Sequence, residues 1–212
     1  MTEPSYLSTT RASYDTVAVA YEELIRDAMD DMPFDRAMLA AFAELVPGGP
    51  VADLGCGPGR VTMHLNSLGL DAFGIDLSPG MIEVARQTHP GLRFEVGSMN
   101  ALDLPDGQLA GVVSWYSIIH TPPQLQHELF AEFHRVLAPG GYLLLAFKAG
   151  DEVRHLAQGY GHDLSLDVYW MQLDHVAELA AKPGFTEVAR LERAASVNEK
   201  GPQGYFLARR AG

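Results

Sequence analysis

The sequence predicts an α/β fold: a three-layer sandwich in which helices cover both faces of a mostly parallel sheet. Three observations carry this. Short apolar runs alternate with helical patterns from residue 51 to residue 147, the signature of repeated strand–helix–strand units. The first run ends in the glycine-rich turn Asp53-Leu54-Gly55-Cys56-Gly57-Pro58-Gly59-Arg60, and the second ends in Asp76. Two further apolar runs near the C-terminus share a short connection, which implies an antiparallel edge.

The elements follow in order. Residues 14–29 and 35–46 carry aromatic and aliphatic residues at helical spacing, giving two N-terminal cap helices. Pro47-Gly48-Gly49-Pro50 stops the second. Val51–Leu54 is the first strand, Arg60–Leu68 a helix ended by Gly69, and Ala72–Ile75 the second strand. Ser78-Pro79 opens the next helix as N-cap and first-turn proline. Leu92–Val96 and Gly111–Trp115 are the third and fourth strands. Thr121-Pro122-Pro123 starts a helix with Leu125, Leu129, Phe133, Val136 and Leu137 on its core face. Tyr142–Phe147 is the fifth strand, apolar throughout and therefore buried on both faces. Residues 149–168 show no clean period and carry several glycines, so they read as an irregular cover on the substrate side. Asp174 caps a helix over 175–181, and Thr186–Arg193 and Gly204–Arg209 complete a seven-stranded sheet. The whole chain, 1–212, reads as one domain, with 1–46 as cap, 51–147 as cofactor-binding core, 149–172 as cover and 173–212 as sheet completion.

Composition narrows the function. The formal net charge of −12 repels phosphate backbones and argues against nucleic acid as partner. The single cysteine, Cys56, excludes an internal disulfide and points to a reducing, cytoplasmic setting. The N-terminus has no signal-peptide pattern, and no apolar run reaches membrane-spanning length. His155 and His162 lack metal-site spacing.

The glycine turn selects the cofactor. A nicotinamide or flavin site wants Gly-x-Gly-x-x-Gly, but here the glycines are Gly55, Gly57 and Gly59, and position 60 is arginine. Pro58 removes an N–H donor from the turn, and the Asp53 carboxylate repels a pyrophosphate while attracting a cation. S-adenosylmethionine has an ammonium, a sulfonium and no phosphate. Asp76 is placed to accept from two ribose hydroxyls.

These residues resemble the class I S-adenosylmethionine-dependent methyltransferases. The likeness runs from Asp53–Arg60 through Asp76-Leu77-Ser78-Pro79-Gly80-Met81-Ile82, Leu104-Pro105 and Val113–His120 to Arg135–Gly141, about half the chain and in the family's order. Tyr14-Asp15 and Tyr21 are similar to the opening helix of the small-molecule branch. The resemblance implies a Rossmann-like sheet. It implies that Asp53, Gly55, Cys56 and Gly57 surround the methionine moiety, with Arg60, Tyr14 or Tyr21 at its carboxylate. It puts Asp76 on the ribose, Leu77 and Met81 against the adenine, Gly97, Ser98 and Met99 at the adenine edge, and Trp115 and Tyr116 beside the cofactor. Where the family carries an aspartate after the third strand, this chain has Ser98.

His120, after the fourth strand, is the candidate general base, with pocket lining as its plainer role. Cys56 reads as a small turn residue rather than a nucleophile. The expected activity is methyl transfer to an O, N or C atom of a small molecule by a monomer or homodimer. The Asn/Asp-Pro-Pro-Tyr/Phe motif of base-amino DNA methylation is absent. The competing readings are a cofactor-binding module without transferase activity and a nicotinamide oxidoreductase.

Overall fold

The computed structural model describes residues 4–197 and 199–212. Helices α1 (Ser5–Ile25) and α2 (Pro33–Leu45) precede β1 (Pro50–Leu54), α3 (Arg60–Ser67), β2 (Asp71–Asp76), α4 (Pro79–Thr88), β3 (Phe94–Val96) and β4 (Leu109–Trp115). A 3-10 turn at Ile118–His120 leads into α5 (Pro123–Val136) and β5 (Leu137–Lys148). The chain closes with β6 (Val153–Gly159), β7 (His162–Tyr169), α6 (Leu173–Ala181), β8 (Phe185–Arg193) and β9 (Gln203–Arg210).

Seven strands form one sheet in the order β3-β2-β1-β4-β5-β9-β8. The pairings from β3 through β5 are parallel, and β9 runs antiparallel to both neighbours, so β8 is the outer strand. The expected antiparallel C-terminal end is there, with the last strand in sequence inserted one place in from the edge. Every residue of β4 is buried, as central parallel strands covered on both faces require. One face packs against α5 and α6 through Leu129, Phe130, Phe133, Val176 and Leu179, and the other against α2 and α3 through Leu39, Phe42, Val61 and Leu65.

Local chemistry sets the element ends. Ser78 Oγ accepts from Met81 N at 3.0 Å, the N-cap expected for α4. The same hydroxyl donates to Asp15 Oδ1, which also accepts from Gly80 N at 2.9 Å. Asp15 therefore fastens α1 over the start of α4.

Four expectations need correction. The first helix begins at Ser5, nine residues before the predicted start. Its first turns line a cleft rather than the core, so the face formed by Leu7, Thr10, Arg11 and Tyr14 mixes polar and apolar residues and hides the period. Residues 149–168 are not irregular: β6 and β7 form an antiparallel hairpin apart from the main sheet. Tyr160 and Gly161 form its two-residue turn, at φ 56° and 78°. Positive φ at both central residues is the turn geometry that matches strand twist. Leu164, Leu166 and Val168 alternate inward along β7, and Leu164 and Leu166 pack with Val17 and Met81. The C-terminal helix starts at Leu173 with no side-chain cap, so Asp174 is a first-turn acid rather than the N-cap. Leu125 is only half-buried on α5, where Phe130 is fully buried. Among the described residues no helix is long and apolar enough to cross a membrane.

Candidate functional site

The carboxyl ends of β1, β2 and β4 open onto one cleft, where parallel α/β sheets bind ligands. It encloses about 750 Å³, counting space open to solvent.

The turn after β1 forms part of its wall. Gly55, Gly57 and Gly59 all have positive φ. Gly55 is also sterically required: a Cβ there would lie 2.3 Å from the Ser117 Cβ. The chain needs glycine to bring the turn this close to the segment after β4. Gly55 N donates to Ile75 O at 2.7 Å, and Gly57 N donates to Asp76 Oδ2 at 2.8 Å. Asp76 Oδ1 accepts from Ser78 N at 2.8 Å. Asp76 thus pins the glycine turn to the start of α4 while lining the cleft, and each oxygen keeps a lone pair for a further donor. Burial pushes its carboxyl up to about 6, against the two backbone hydrogen bonds.

Asp53 and Arg60 stand at the two ends of this turn. Asp53 is fully buried, and its Oδ2 accepts from Thr62 Oγ1 at 2.7 Å. Its Oδ1 has no partner, and neither do Arg60 Nε and Nη1, all three atoms being buried. Burial drives the Asp53 carboxyl up to about 7, with Thr62 opposing. Asp53 and Arg60 thus each keep buried polar atoms without a partner, behind the cleft rather than on its wall.

His120 and three tyrosines form a file of rings along α1. His120 and Tyr14 have centroids 5.4 Å apart, Tyr14 and Tyr21 6.1 Å, and Tyr21 and Tyr160 5.0 Å, all edge-to-face. Tyr160 brings the hairpin tip against Tyr21. His120 Nδ1 lies 2.9 Å from the backbone O of Asp167, which can only accept, so Nδ1 carries the proton. Its Nε2 then accepts from the Tyr14 hydroxyl at 2.7 Å. Burial lowers the His120 pKa below the ordinary 6.5 and raises the Tyr14 phenol well above 10. At neutral pH the pair is a phenol hydrogen-bonded to a neutral imidazole.

Thirteen of the sixteen residues singled out from the sequence meet on this cleft: Tyr14 and Tyr21 from α1; Gly55 and Gly57; Asp76, Leu77 and Met81; Gly97, Ser98 and Met99; and Trp115, Tyr116 and His120. Asp53, Cys56 and Arg60 are not on its wall. Cys56 packs with Ile82, Ala85 and Phe94, and burial holds its thiol well above the usual range, which fits a turn residue and not a nucleophile. Sequence reasoning missed Leu7, Thr10, Arg11, Ser78, Asn100, Ser117 and Thr121. The α1 members lie at helical spacing from Tyr14, a signal that extending the helix toward the N-terminus would have found. Asn100 is joined to Tyr6 by a side-chain hydrogen bond.

Trp115 and Tyr116 are held from behind. Asp35, fully buried on α2, accepts from Trp115 Nε1 at 3.1 Å and from the Tyr205 hydroxyl at 2.6 Å. Arg193 donates to the Tyr205 oxygen at 3.0 Å and forms a two-bond pair with Glu199. Tyr116 has φ 56°, a conformation that costs a non-glycine residue energy. Its N–H donates to Ala146 O at 2.8 Å, which fixes the backbone in that geometry.

Known proteins share this architecture. A family described as a methyltransferase domain matches residues 51–141, the span from β1 to the start of β5. A malonyl-[acyl-carrier protein] O-methyltransferase from Serratia marcescens is 31% identical over 119 residues, 54% of this chain and 44% of that protein. The chain therefore aligns with less than half the length of that relative. An uncharacterized methyltransferase from Geobacillus kaustophilus is 28% identical over 186 residues, covering 82% of this chain and 84% of its own length. The crystal structure of a magnesium protoporphyrin IX methyltransferase from Synechocystis with bound S-adenosylmethionine superposes with a TM-score of 0.75 at 15% identity, over 100% of both chains. The matched core, the strand order and the glycine turn facing Asp76 make the chain similar, over residues 51–141, to the class I S-adenosylmethionine-dependent methyltransferases.

Proposed function

We propose that this protein transfers the methyl group of S-adenosylmethionine to an O, N or C nucleophile of a small molecule. The observation that carries the reading is the cleft at the carboxyl ends of β1, β2 and β4, where the Asp76 carboxylate faces in beside Gly55 and Gly57. A ribose satisfies the free lone pairs of Asp76, and a cationic, phosphate-free ligand suits this acidic turn where a dinucleotide pyrophosphate would be repelled.

The bound cofactor supplies a sulfonium methyl: the nucleophile's lone pair bonds to the methyl carbon while the carbon–sulfur bond breaks, leaving its electron pair on sulfur. The residues bind and orient. Asp76 accepts from the ribose, Leu77 and Met81 pack on the adenine, and Ser98 or the Asn100 amide reads its edge in place of the family's aspartate. Trp115, Tyr116, Tyr14 and Tyr21 close the cleft to water, which favours alignment of the reacting atoms. Where the nucleophile carries a proton, that proton passes to the Tyr14 oxygen as the Tyr14 proton passes to His120 Nε2. His120 is deprotonated at neutral pH and so is ready to accept.

The test is release of S-adenosylhomocysteine with a panel of small acceptors, beside thermal shifts with S-adenosylmethionine and with NAD. Stabilisation by S-adenosylmethionine together with acceptor-dependent release is expected. Stabilisation by NAD alone would point to an oxidoreductase, and cofactor binding without release on any acceptor would point to a binding module.

A further inference from the structure

A second pocket, about 570 Å³ counting space open to solvent, lies between α1 and β7. It shares Tyr6, Thr10 and His120 with the cofactor cleft, so the two spaces meet at the imidazole. Its remaining wall carries the hydroxyl-bearing Ser5, Thr9 and Ser165, the carboxylate Asp167 and the phenol Tyr169. Among the described residues, no lysine or arginine lines it.

We propose that this cavity seats the methyl acceptor, and that the acceptor is a small neutral or cationic polar molecule rather than a carboxylate or phosphate. The proposal rests on the methyltransferase reading and adds the acceptor's place and charge.

The charges around the cavity argue for that class. Asp167 presents a half-exposed carboxylate, and among the described residues the side chain paired with it is His155, with Nδ1 2.8 Å from Asp167 Oδ1. His120 contributes no positive charge, because its protonated Nδ1 is committed to the Asp167 carbonyl and its Nε2 to Tyr14. The neighbouring arginines are engaged elsewhere. Arg154 on β6 pairs with Glu152 at 2.7 Å and lies over the Trp170 ring at 4.5 Å. Arg11 lines the cofactor cleft, and its Nε donates to Leu77 O. An anion here would face Asp167 with no compensating cation on the wall. A hydroxyl or ammonium group would instead find hydroxyl acceptors and a carboxylate. Tyr6 and Tyr169 provide ring faces for an aromatic body. A molecule anchored there reaches the cofactor past His120, which places its nucleophile beside the Tyr14–His120 pair.

Three phenols of matched size test this on protein saturated with S-adenosylhomocysteine: tyramine, tyrosol and 3-(4-hydroxyphenyl)propanoate, followed by calorimetry and saturation-transfer NMR. Tyramine and tyrosol should bind at least tenfold more tightly than the propanoate. Asp167→Asn should remove the advantage of tyramine over tyrosol. Ser165→Val should weaken both severalfold, with S-adenosylhomocysteine affinity unchanged. Binding of the propanoate as tight as the others, binding of none of the three, or indifference to both substitutions would overturn the proposal. Failure of S-adenosylhomocysteine itself to bind the unaltered protein would instead overturn the methyltransferase reading beneath it.

Discussion

Asp53 is the residue at which stability and binding pull apart. Its folded pKa of about 7 lies above the 3.8 of a free carboxyl. Below pH 3.8 the group is neutral in both states and costs nothing. As pH rises from 3.8 to 7 the unfolded chain releases the proton first, so the stability of the unliganded protein falls across that window and levels off above it. Asp53→Asn should therefore stabilise the unliganded protein at pH 8, by up to about 4 kcal/mol at 1.36 kcal/mol per pKa unit. It should make no such difference at pH 3.5. The same change should weaken S-adenosylmethionine binding severalfold, because the turn that carries Gly55 and Gly57 into the cleft rests on the Asp53–Thr62 hydrogen bond. Denaturant melts at the two pH values, beside a calorimetric titration, read both effects; a variant that loses stability and keeps affinity would refute this role. His120 gives a second test. Its pKa lies below 6.5, so turnover should hold steady at neutral pH and fall as acid protonates Nε2. His120→Ala should lower kcat by roughly 10²–10⁴ for a proton-bearing acceptor, as loss of a general base does, with cofactor affinity kept. A residue that only shapes the pocket would change KM and leave the pH profile of kcat alone.

At the scale of elements, the cofactor cleft depends on segments distant in sequence. Asp35 on α2, Trp115 at the end of β4 and Tyr205 on β9 meet in one buried cluster, and Arg193 at the end of β8 joins it to Glu199. Asp35→Ala would leave the indole N–H and the Tyr205 hydroxyl without their acceptor. At about 1–3 kcal/mol for each of the two unsatisfied buried groups, a loss of roughly 2–6 kcal/mol is expected in chemical denaturation. A loss below about 1 kcal/mol would mean that the cluster does not brace the cleft. None of this was legible in the sequence. Asp35 sits in the first turn of a helix and reads as an ordinary N-terminal acid. Only the fold brings it to a tryptophan 80 residues away. The β6–β7 hairpin was half legible. The alternation of Leu164, Leu166 and Val168 is a strand period, but β6 is mostly exposed, and the glycines around Tyr160 read as disorder of pattern rather than as a tight turn.

For the whole molecule, the parallel core was readable because its signals are local. Apolar runs end at Asp53 and Asp76, Ser78-Pro79 caps a helix, and the glycine turn lies between two strands; each says where a strand stops and which edge of the sheet it faces. The cleft residues on those edges followed directly. What escaped were contacts made across the sheet's carboxyl edge by α1 and the hairpin, whose faces serve a cavity and so lack a clean hydrophobic period. The structure also changes what Asp76 means. It holds Gly57 N and Ser78 N as well as facing the cleft, so Asp76→Ala loosens the turn, whereas Asp76→Asn keeps an acceptor for one of the two.

The central claim is that this cleft holds S-adenosylmethionine through the Asp76 edge and the glycine turn beside it. The most direct measurement is calorimetric titration of S-adenosylmethionine and of NAD into the unaltered protein and into Asp76→Asn, with melting temperatures taken alongside. The expected result is saturable binding of S-adenosylmethionine alone, weakened at least tenfold in Asp76→Asn at a melting temperature within a few degrees of the parent. Binding of NAD in preference, or an Asp76→Asn variant that binds S-adenosylmethionine as tightly as the parent, would contradict it.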